Sequence, residues 1–218
     1  MPEKTKRSRR VAKPEPDADF TKHRVLPRRF YNRPTLDVAR ELLGTIVIRH
    51  IRGHTLAGRI VETEAYIGED DPACHASHGL TPRTEVMYGP PGHAYIYFTY
   101  GMHYMLNTVT EREKFPAAVL IRGIEPLAGI ESMRKRRGFC PERELTNGPA
   151  KLCSALGIDL RLNRSDLTRP PLCIVEPTEP VQESFRWTPR IGIRHGRDKP
   201  WRCYLEGNPW VSKRNPKA

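Results

Sequence analysis

The fold class of this chain follows from the stretch TIVIRHIRGHTLAGRIVET, residues 45–63. Residues 45–49 and 56–63 are rich in β-branched and aliphatic side chains, a composition that predicts two β-strands. The segment Arg52-Gly53-His54 between them places His54 in a hairpin turn. Strands joined by so short a link pair antiparallel, so the sheet is expected to begin as a hairpin and not as a βαβ unit.

Outward from this hairpin, the sequence predicts further strands and a few helices. The strands are expected at 93–100, 117–122, 172–175, 190–194 and 201–205. The helices are expected at 35–43, with Thr35 as N-cap and Gly44 after the end, at 126–137, with Pro126 in the first turn, and at 149–156, closed by Gly157. Strands outnumber helices and follow one another through hairpin-like links, so an α+β fold is favoured over a doubly wound parallel sheet.

Composition limits the class of partner. The 218 residues carry a formal net charge of +12 and a sequence pI of about 9.8, which favours polyanions because cationic side chains release counterions from phosphates. The alternative is an ordinary basic, soluble protein. The five cysteines are widely spaced without a CxxC pair, which argues against a disulfide framework or zinc finger and favours a reducing compartment. No membrane contact is expected, because no apolar run is long enough to span a bilayer, and the charged N-terminus is unlike a secretory signal.

Residues 1–22 are predicted to form a disordered basic tail. Lysines and arginines recur between Lys4 and Lys13, and almost nothing there could enter a core. The tail could tether the protein to DNA without sequence preference, or act as a nuclear address in a eukaryote; a solvated tail without function is the alternative. Residues 23–218 are then expected to form one domain, with packed structure from near Phe30.

Two carboxylates stand close together at the end of the second strand of the hairpin. Glu62 and Glu64 are two residues apart, so their side chains share one face of the strand. A carboxylate held in a cleft can activate a water molecule; the alternative is a solvent-facing strand with ordinary surface glutamates. The strand continues through Tyr66 into a long irregular segment, residues 67–93, and such segments in compact domains are often functional.

The histidines of this segment do not suggest a metal. His75 and His78 lie three residues apart near Asp70, Asp71 and Cys74, but a third and a fourth ligand at a recognisable spacing are missing from the sequence. We therefore expect one histidine to face a ligand and the other to be solvated.

Aromatic side chains are concentrated in the predicted strand at 93–100. Tyr95, Tyr97 and Thr99 share one face of it, and Tyr100, next to Gly101, is placed to project from a turn. Such tyrosines can line a pocket and stack on bases, although aromatic strand residues can equally be core. Further along, Asn107 could discriminate between bases by its amide or its bulk.

One arginine ends the apolar run at residues 117–121. Arg122 could pair with Glu64 or reach a phosphate, and a simple structural ion pair is the alternative. The cationic run at 134–137 is interpreted as a solvated helix end.

At these residues the chain resembles the alkyladenine, or methylpurine, DNA glycosylase family, from Phe30 to about Ser212. The landmarks are Arg33-Pro34, Leu42-Leu43-Gly44, Glu62-Thr63-Glu64-Ala65-Tyr66, His75, Thr81-Pro82-Arg83, Pro91-Gly92, Tyr95 to Gly101, Asn107, Arg122, Glu125-Pro126, Asn147-Gly148-Pro149, Lys151-Leu152 and Pro209-Trp210-Val211-Ser212. So many motifs in order, with suitable spacing, make the resemblance specific.

The resemblance implies a fold and a reaction. The fold would be a single compact α+β domain around a curved, mostly antiparallel sheet with peripheral helices. The enzyme would be monofunctional: it would flip an alkylated or deaminated purine out of duplex DNA and hydrolyse its N-glycosidic bond, leaving an abasic site. The expected substrates are 3-methyladenine, 7-methylguanine, hypoxanthine and ethenoadenine, without metal, cofactor or covalent lysine intermediate. The protein would be a monomer, cytoplasmic and nucleoid-associated in a bacterium or nuclear in a eukaryote.

The resemblance also implies residue roles. Glu64 matches the general base and Arg122 its partner near the attacking water. Tyr66, His75 and Tyr97 match the residues that enclose the flipped base, and Asn107 matches the residue set against the 2-amino group of guanine. Tyr100 matches the side chain that fills the gap in the duplex, and Arg83, Met102 and Lys151 are expected to contact DNA with it.

Two other functions fit parts of the same pattern. One is a protein of this fold that binds lesions without cutting, against which the presence of both Glu64 and Arg122 argues. The other is an RNA-binding module that uses the tyrosines as a stacking platform, but the sequence lacks the Gly-aromatic-Val-aromatic run of a ribonucleoprotein motif.

Overall fold

The computed structural model describes residues 20–177 and 179–212. Residues 1–19 of the expected tail, and residues 213–218 of the expected domain, lie outside the described residues. The chain enters the fold through a 3₁₀ turn at Phe20–Lys22, and the Phe20 side chain packs against a small buried cluster that includes Ile46, Ile48 and Val175. None of the helices in the described part has the length and apolar character needed to cross a membrane.

One antiparallel sheet organises the described residues. Its strands are β1 (Ile46–Ile51), β2 (His54–Ile67), β3 (Ala94–Thr99), β4 (His103–Val109), β5 (Ala117–Ala128), β6 (Thr168–Arg169), β7 (Leu172–Val175), β8 (Phe185–Thr188) and β9 (Arg202–Leu205). The order is β3-β4-β5-β2-β1-β7-β6, while β9 pairs with both β2 and β8. Every strand pair in the described structure is antiparallel. The sheet curls into a half-barrel, which confirms the expected single α+β domain with a curved, antiparallel sheet.

The long strand β2 carries the predicted catalytic residues to the middle of the sheet. It pairs with β5 along one edge, and along the other with β1 at residues 54–59 and with β9 at residues 62–64. The β2–β5 register shifts on both sides of Glu62. Such irregularities bend a strand and re-aim its side chains, so β2 changes partner and direction where its two glutamates stand.

Four helices cover the sheet: α1 (Arg28–Tyr31), α2 (Thr35–Glu41), α3 (Ile130–Arg137) and α4 (Pro149–Leu156). Helix α2 packs on β2 and β5, α4 packs on β4 and β5, and α3 packs on α4. The core between helices and sheet includes Leu42, Ile60, Leu106 and Leu152, all buried. Burial of large aliphatic side chains stabilises this arrangement by about 1.5–3 kcal/mol for each.

Helix α4 has its predicted bounds, whereas the positions of His54 and Thr35 and the end of helix α2 differ from the prediction. The turn before β2 consists of Arg52 and Gly53, both at positive φ (49° and 78°), the geometry of a tight hairpin turn, so His54 is the first residue of β2 and not part of the turn. Helix α4 begins at Pro149 and ends before Gly157, as expected. Helix α2 ends at Glu41, and Thr35 is its first residue and not its N-cap; the Thr35 hydroxyl donates to Glu111 instead (2.8 Å).

Two predicted elements were wrong. The helix expected at 126–137 begins only at Ile130, because β5 continues opposite β2 and Pro126 occupies a register irregularity against Gly58, where a missing N–H is tolerated. The strand expected at 190–194 is irregular chain, because the first residue of that run, Arg190, is held by side-chain contacts. Strands β4, β6 and β8 were not predicted.

Candidate active site

A cavity of about 450 Å³ opens between the end of β2, the irregular segment after it, and strands β3, β4 and β5. Its lining includes Tyr66, His75, Tyr95, Tyr97, Tyr100, Asn107, Arg122 and the residues from Ile191 to His195. The structure therefore brings together these seven residues, all singled out in the sequence, and adds one wall, residues 191–195, that was not foreseen.

Glu64 lies directly behind the wall of this cavity and is completely buried. Its Oε1 accepts a hydrogen bond from the Ile191 N–H (2.7 Å), and its Oε2 accepts from the Tyr66 hydroxyl (2.8 Å) and from Nη1 of Arg122 (3.2 Å). All three donors line the cavity. The carboxylate is thus buried, fully oriented and one side chain away from the space where a ligand would sit.

Glu62 is also buried, so the alternative of a solvent-facing strand is wrong. Its carboxylate accepts from Nε of Arg122 (3.0 Å), Nε of Arg202 (2.6 Å), and the N–H and hydroxyl of Ser212 (both 2.7 Å). Burial acts to raise the pKa of Glu62, but the two arginines and Ser212 outweigh it, and its pKa is lowered. Glu62 therefore anchors the arginine that Glu64 also contacts.

Arg122 forms an ion pair with both glutamates and does not extend into solvent. Its side chain is 9% exposed, and Nε, Nη1 and Nη2 donate to Glu62, Glu64 and Ser212 respectively. Burial disfavours its charge, yet the two carboxylates raise its pKa above the usual value. Of the two uses expected for Arg122, the structure shows the pairing with Glu64.

The aromatic side chains form the walls of the cavity. The His75 ring stands edge-on to Tyr97 (centroids 4.6 Å apart), and its Nδ1 lies 2.7 Å from the Tyr95 hydroxyl. Burial, together with the charges of Arg83 and His78, lowers the pKa of His75 to about 4. Its imidazole is therefore neutral near pH 7, when it can face a positively charged base without repulsion. His78 is exposed, as expected for the second histidine.

Asn107 lies inside the cavity at the register position opposite Tyr95. It is 3% exposed, and its Nδ2 donates to the Tyr95 carbonyl (2.9 Å). This bond fixes the amide plane, so Asn107 presents a rigid polar edge to any ligand in the cavity.

Tyr100 projects from the tip of the β3–β4 hairpin. It is 78% exposed, has φ +52° and is followed by Gly101 at φ +66°, a backbone that most side chains avoid. Met102, on the same tip, is 68% exposed. Two large side chains are thus held out in solvent at this tip, and Tyr100, the predicted wedge, is the one of the two that lines the cavity.

The two cations expected at the DNA surface make different contacts. The Arg83 guanidinium lies over the Tyr97 ring (5.0 Å), with Nη2 3.3 Å from Nε2 of His75, so this exposed side chain braces two cavity residues. Lys151 lies in helix α4 near the cavity-lining Pro149, and its Nζ donates to the side chains of Asn147 (2.9 Å) and Glu144 (3.3 Å). Contact of Arg83 and Lys151 with DNA stays a prediction.

Sequence reasoning missed the residues that hold these groups from a distance. Arg202 and Ser212 complete the surroundings of Glu62, and Arg190 forms a buried ion pair with Asp71. Only Ser212 had a signal, as part of a recognised motif; the others meet their partners across more than 100 residues of sequence.

Cys74, beside His75, is buried, and burial raises the pKa of its thiol to about 11, which makes it an inert thiol at neutral pH.

The sequence is similar to known proteins over most of its length. The sequence matches the Methylpurine-DNA glycosylase family over residues 29–209. It is 53% identical to a protein of Carboxydothermus hydrogenoformans, over 87% of this chain and 100% of that one, and 50% identical to a protein of Methanocella arvoryzae, over 88% and 98%. A protein of Chlorobaculum parvum is 49% identical over 84% and 88%. All three are described as "Putative 3-methyladenine DNA glycosylase".

Proposed function

The chain belongs to the methylpurine-DNA glycosylase family and is a DNA glycosylase, and from that premise we propose that it excises alkylated or deaminated purines from duplex DNA. The proposed substrates are 3-methyladenine, 7-methylguanine, hypoxanthine and ethenoadenine. The observation that carries the proposal is the position of Glu64: a buried carboxylate, oriented by three donors, stands immediately behind an aromatic cavity of about 450 Å³.

The cavity suits a flipped purine. Tyr66, Tyr97 and His75 offer aromatic surface, and electron-rich faces attract the positive charge of an alkylated base. Extrusion of a nucleotide costs a few kcal/mol and costs least for a damaged, poorly paired base, which is one source of selectivity. Tyr100 at the hairpin tip would fill the space that the base leaves, which offsets part of the lost stacking.

The chemistry needs little beyond position. Glu64 takes a proton from a water molecule as the water oxygen attacks C1′ of the deoxyribose, and the N-glycosidic bond breaks with its electron pair leaving on the purine. The same carboxylate favours the positive charge that develops on the sugar. Arg122, held by Glu62, keeps Glu64 in place. No lysine bonded to the sugar is required, so the proposed enzyme is monofunctional and leaves an abasic site.

The proposed partner is duplex DNA with a damaged purine, bound by a monomer without a cofactor. The formal net charge of +12 supports a polyanionic partner. We place the protein with its substrate, in the cytoplasm and nucleoid of a bacterial host or in the nucleus of a eukaryotic one.

The test is excision from duplexes that each contain one of the four lesions. Treatment with alkali then cleaves the strand at an abasic site, and Glu64→Gln should abolish most cleavage while binding to the damaged duplex persists, because shape and stacking survive. Glu69→Gln, an exposed glutamate on the following loop, is the matched control and should cleave like the wild type. Binding without cleavage by the wild type would favour a lesion-binding protein, and preferential binding of RNA would favour an RNA-binding module.

A further inference from the structure

A buried ion pair joins two distant parts of the cavity lining. Asp71 precedes the lining residues Pro72, Ala73 and His75, and Arg190 precedes the lining residues 191–195. Both side chains are fully buried, and they meet through two bonds, Nη1 to Oδ2 (2.6 Å) and Nη2 to Oδ1 (2.7 Å). This paired geometry fixes the orientation of the guanidinium as well as its position.

The Arg190 side chain is also held from its other sides. Its Nη1 donates to the carbonyl of Ala65 in β2 (2.9 Å), and its guanidinium lies over the rings of Tyr66 (4.8 Å) and Trp201 (5.1 Å). The cation therefore supports the face of Tyr66, one of the aromatic residues that line the cavity.

A glycine makes room for the pair. A Cβ on Gly196 would come within 2.9 Å of Nη2 of Arg190 and 3.4 Å of Oδ1 of Asp71, and Gly196 has φ +67°. The loop can thus close over the ion pair only because this position has no side chain.

The position of Arg190 determines the position of the next peptide group. The Ile191 N–H donates to Oε1 of Glu64 (2.7 Å), and residues 189–200, all within the described part of the chain, include neither helix nor strand. Because no backbone pairing with a neighbouring strand holds this segment, the side-chain contacts of Arg190 determine the direction of the Ile191 N–H.

We propose that the Asp71–Arg190 pair is a positioning device for the reaction: it holds Ile191 so that its N–H orients Glu64. The inference rests on the proposed function of Glu64. A buried ion pair gives little net stability compared with well-packed apolar side chains, whereas its two-bond geometry gives the precision that a catalytic group requires. Arg190 and Asp71 act through Glu64 and do not touch the substrate.

The test separates the chemical step from binding and from folding. Arg190→Lys keeps the positive charge but loses the planar guanidinium that makes two bonds to Asp71. The single-turnover excision rate at saturating enzyme should therefore fall by about 10- to 100-fold. The Kd for damaged duplex should change by less than about threefold. Arg59→Lys is the control, because it removes the bonds from Nε and Nη2 to Oε2 of Glu125, in a partly exposed ion pair away from the cavity. It should leave the excision rate unchanged, and the Tm of each variant shows how far the substitution destabilises the fold. Equal rate losses in the two variants, or a loss in Kd alone, would overturn the proposal.

Two further measurements complete the test. Asp71→Asn should slow excision as Arg190→Lys does, and the double variant should be no slower than either, because both act through one step; additive losses would overturn the proposal. Hydrogen exchange of the Ile191 amide, which needs no activity, should be at least about tenfold faster in Arg190→Lys than in the wild type. Unchanged exchange overturns the positioning role, whereas failure of the wild type to excise any lesion overturns the proposed function instead.

Discussion

The Tyr66 hydroxyl donates a hydrogen bond of 2.8 Å to Oε2 of Glu64, so the residue that lines the cavity also covers the carboxylate behind it. Burial and the neighbouring Glu64 raise the pKa of Tyr66 well above its usual value, so the phenol remains a donor at any working pH. One side chain therefore offers its ring to the base and its hydroxyl to the proposed general base.

Tyr66→Phe separates these two contributions. The ring remains and Glu64 keeps two of its three donors, so we expect binding of damaged duplex to be unchanged and excision to change by less than about tenfold, the equivalent of one hydrogen bond. Tyr66→Ala removes the ring too and should weaken both. Single-turnover rates and Kd values for the two variants make the comparison. Equal losses would show that the hydroxyl, and not the ring, is what the reaction needs.

Glu62→Gln should destabilise the fold. It removes a buried negative charge and leaves Arg122 and Arg202 without it, which costs about 3–5 kcal/mol in comparable buried pairs. Because the pKa of Glu62 is lowered in the folded state, its contribution is present above its unfolded pKa and is lost as pH falls through the folded value. Urea unfolding at pH 7 and at pH 3 measures both effects, and Glu125→Gln, in a half-exposed pair, should cost much less. A near-neutral Glu62→Gln would contradict the role of Glu62 as anchor.

His75 should make stability depend on pH in mild acid. Its pKa is about 4 in the folded protein and about 6.5 when unfolded, so the unfolded chain binds the proton first. The free energy of unfolding should therefore decrease as pH falls from about 6.5 to 4, by about 1–3 kcal/mol from this residue. Unfolding of wild type and His75→Gln at pH 7 and pH 4.5 tests this, with the exposed His78→Gln as control. An identical pH dependence in wild type and His75→Gln would refute it.

Tyr100→Ala should weaken binding to damaged duplex more than binding to the same lesion in a single strand. Only the duplex leaves a gap in a paired stack for the side chain to fill, and one stacked contact is worth about 1–3 kcal/mol. Phe139→Ala is the control, since Phe139 is also exposed but does not line the cavity. If both DNA forms lost affinity equally, Tyr100 would be a general DNA contact and not a wedge.

Asn107→Ser should relax discrimination against guanine-type bases. A rigid buried amide rejects an exocyclic amine by its bulk and by an unpaired polar group, and serine removes much of both penalties. Hypoxanthine lacks that amine, so its excision should change less. The measurement is the ratio of excision rates for 7-methylguanine and hypoxanthine, and Thr108→Ser, the next residue of β4, is the control. An unchanged ratio would remove Asn107 from base selection.

The local sequence pattern was enough to predict much of the fold. It failed where contacts between residues far apart in the sequence determine the local structure. The β1–β2 hairpin and helix α4 follow from β-branched runs and from Pro149 and Gly157, which act within a few residues. The run at 190–194 has a strand composition but is irregular, because Asp71, 119 residues earlier, fixes Arg190. The β-strand propensity of a segment carries no information about such a distant contact.

The candidate site shows the same division. The two glutamates were expected on one face of the strand, and both do contact Arg122. The burial of Glu62 depends on Arg202 and Ser212, and that of Glu64 on the Ile191 N–H, and no spacing rule connects these residues to β2. The aromatic residues that line the cavity could be named from the sequence, whereas its wall at residues 191–195 and the residues that hold the two glutamates required coordinates.

The separation of these partners along the chain has a consequence for biosynthesis. The Glu62 carboxylate has all its hydrogen-bond donors only when Ser212, 150 residues later, is in place, and the Glu64 carboxylate needs the N–H of Ile191. A nascent or prematurely terminated chain that already contains both glutamates, the tyrosines and Arg122 therefore still lacks an assembled site. If Glu64 is the general base, excision therefore requires a chain synthesised at least as far as Ser212.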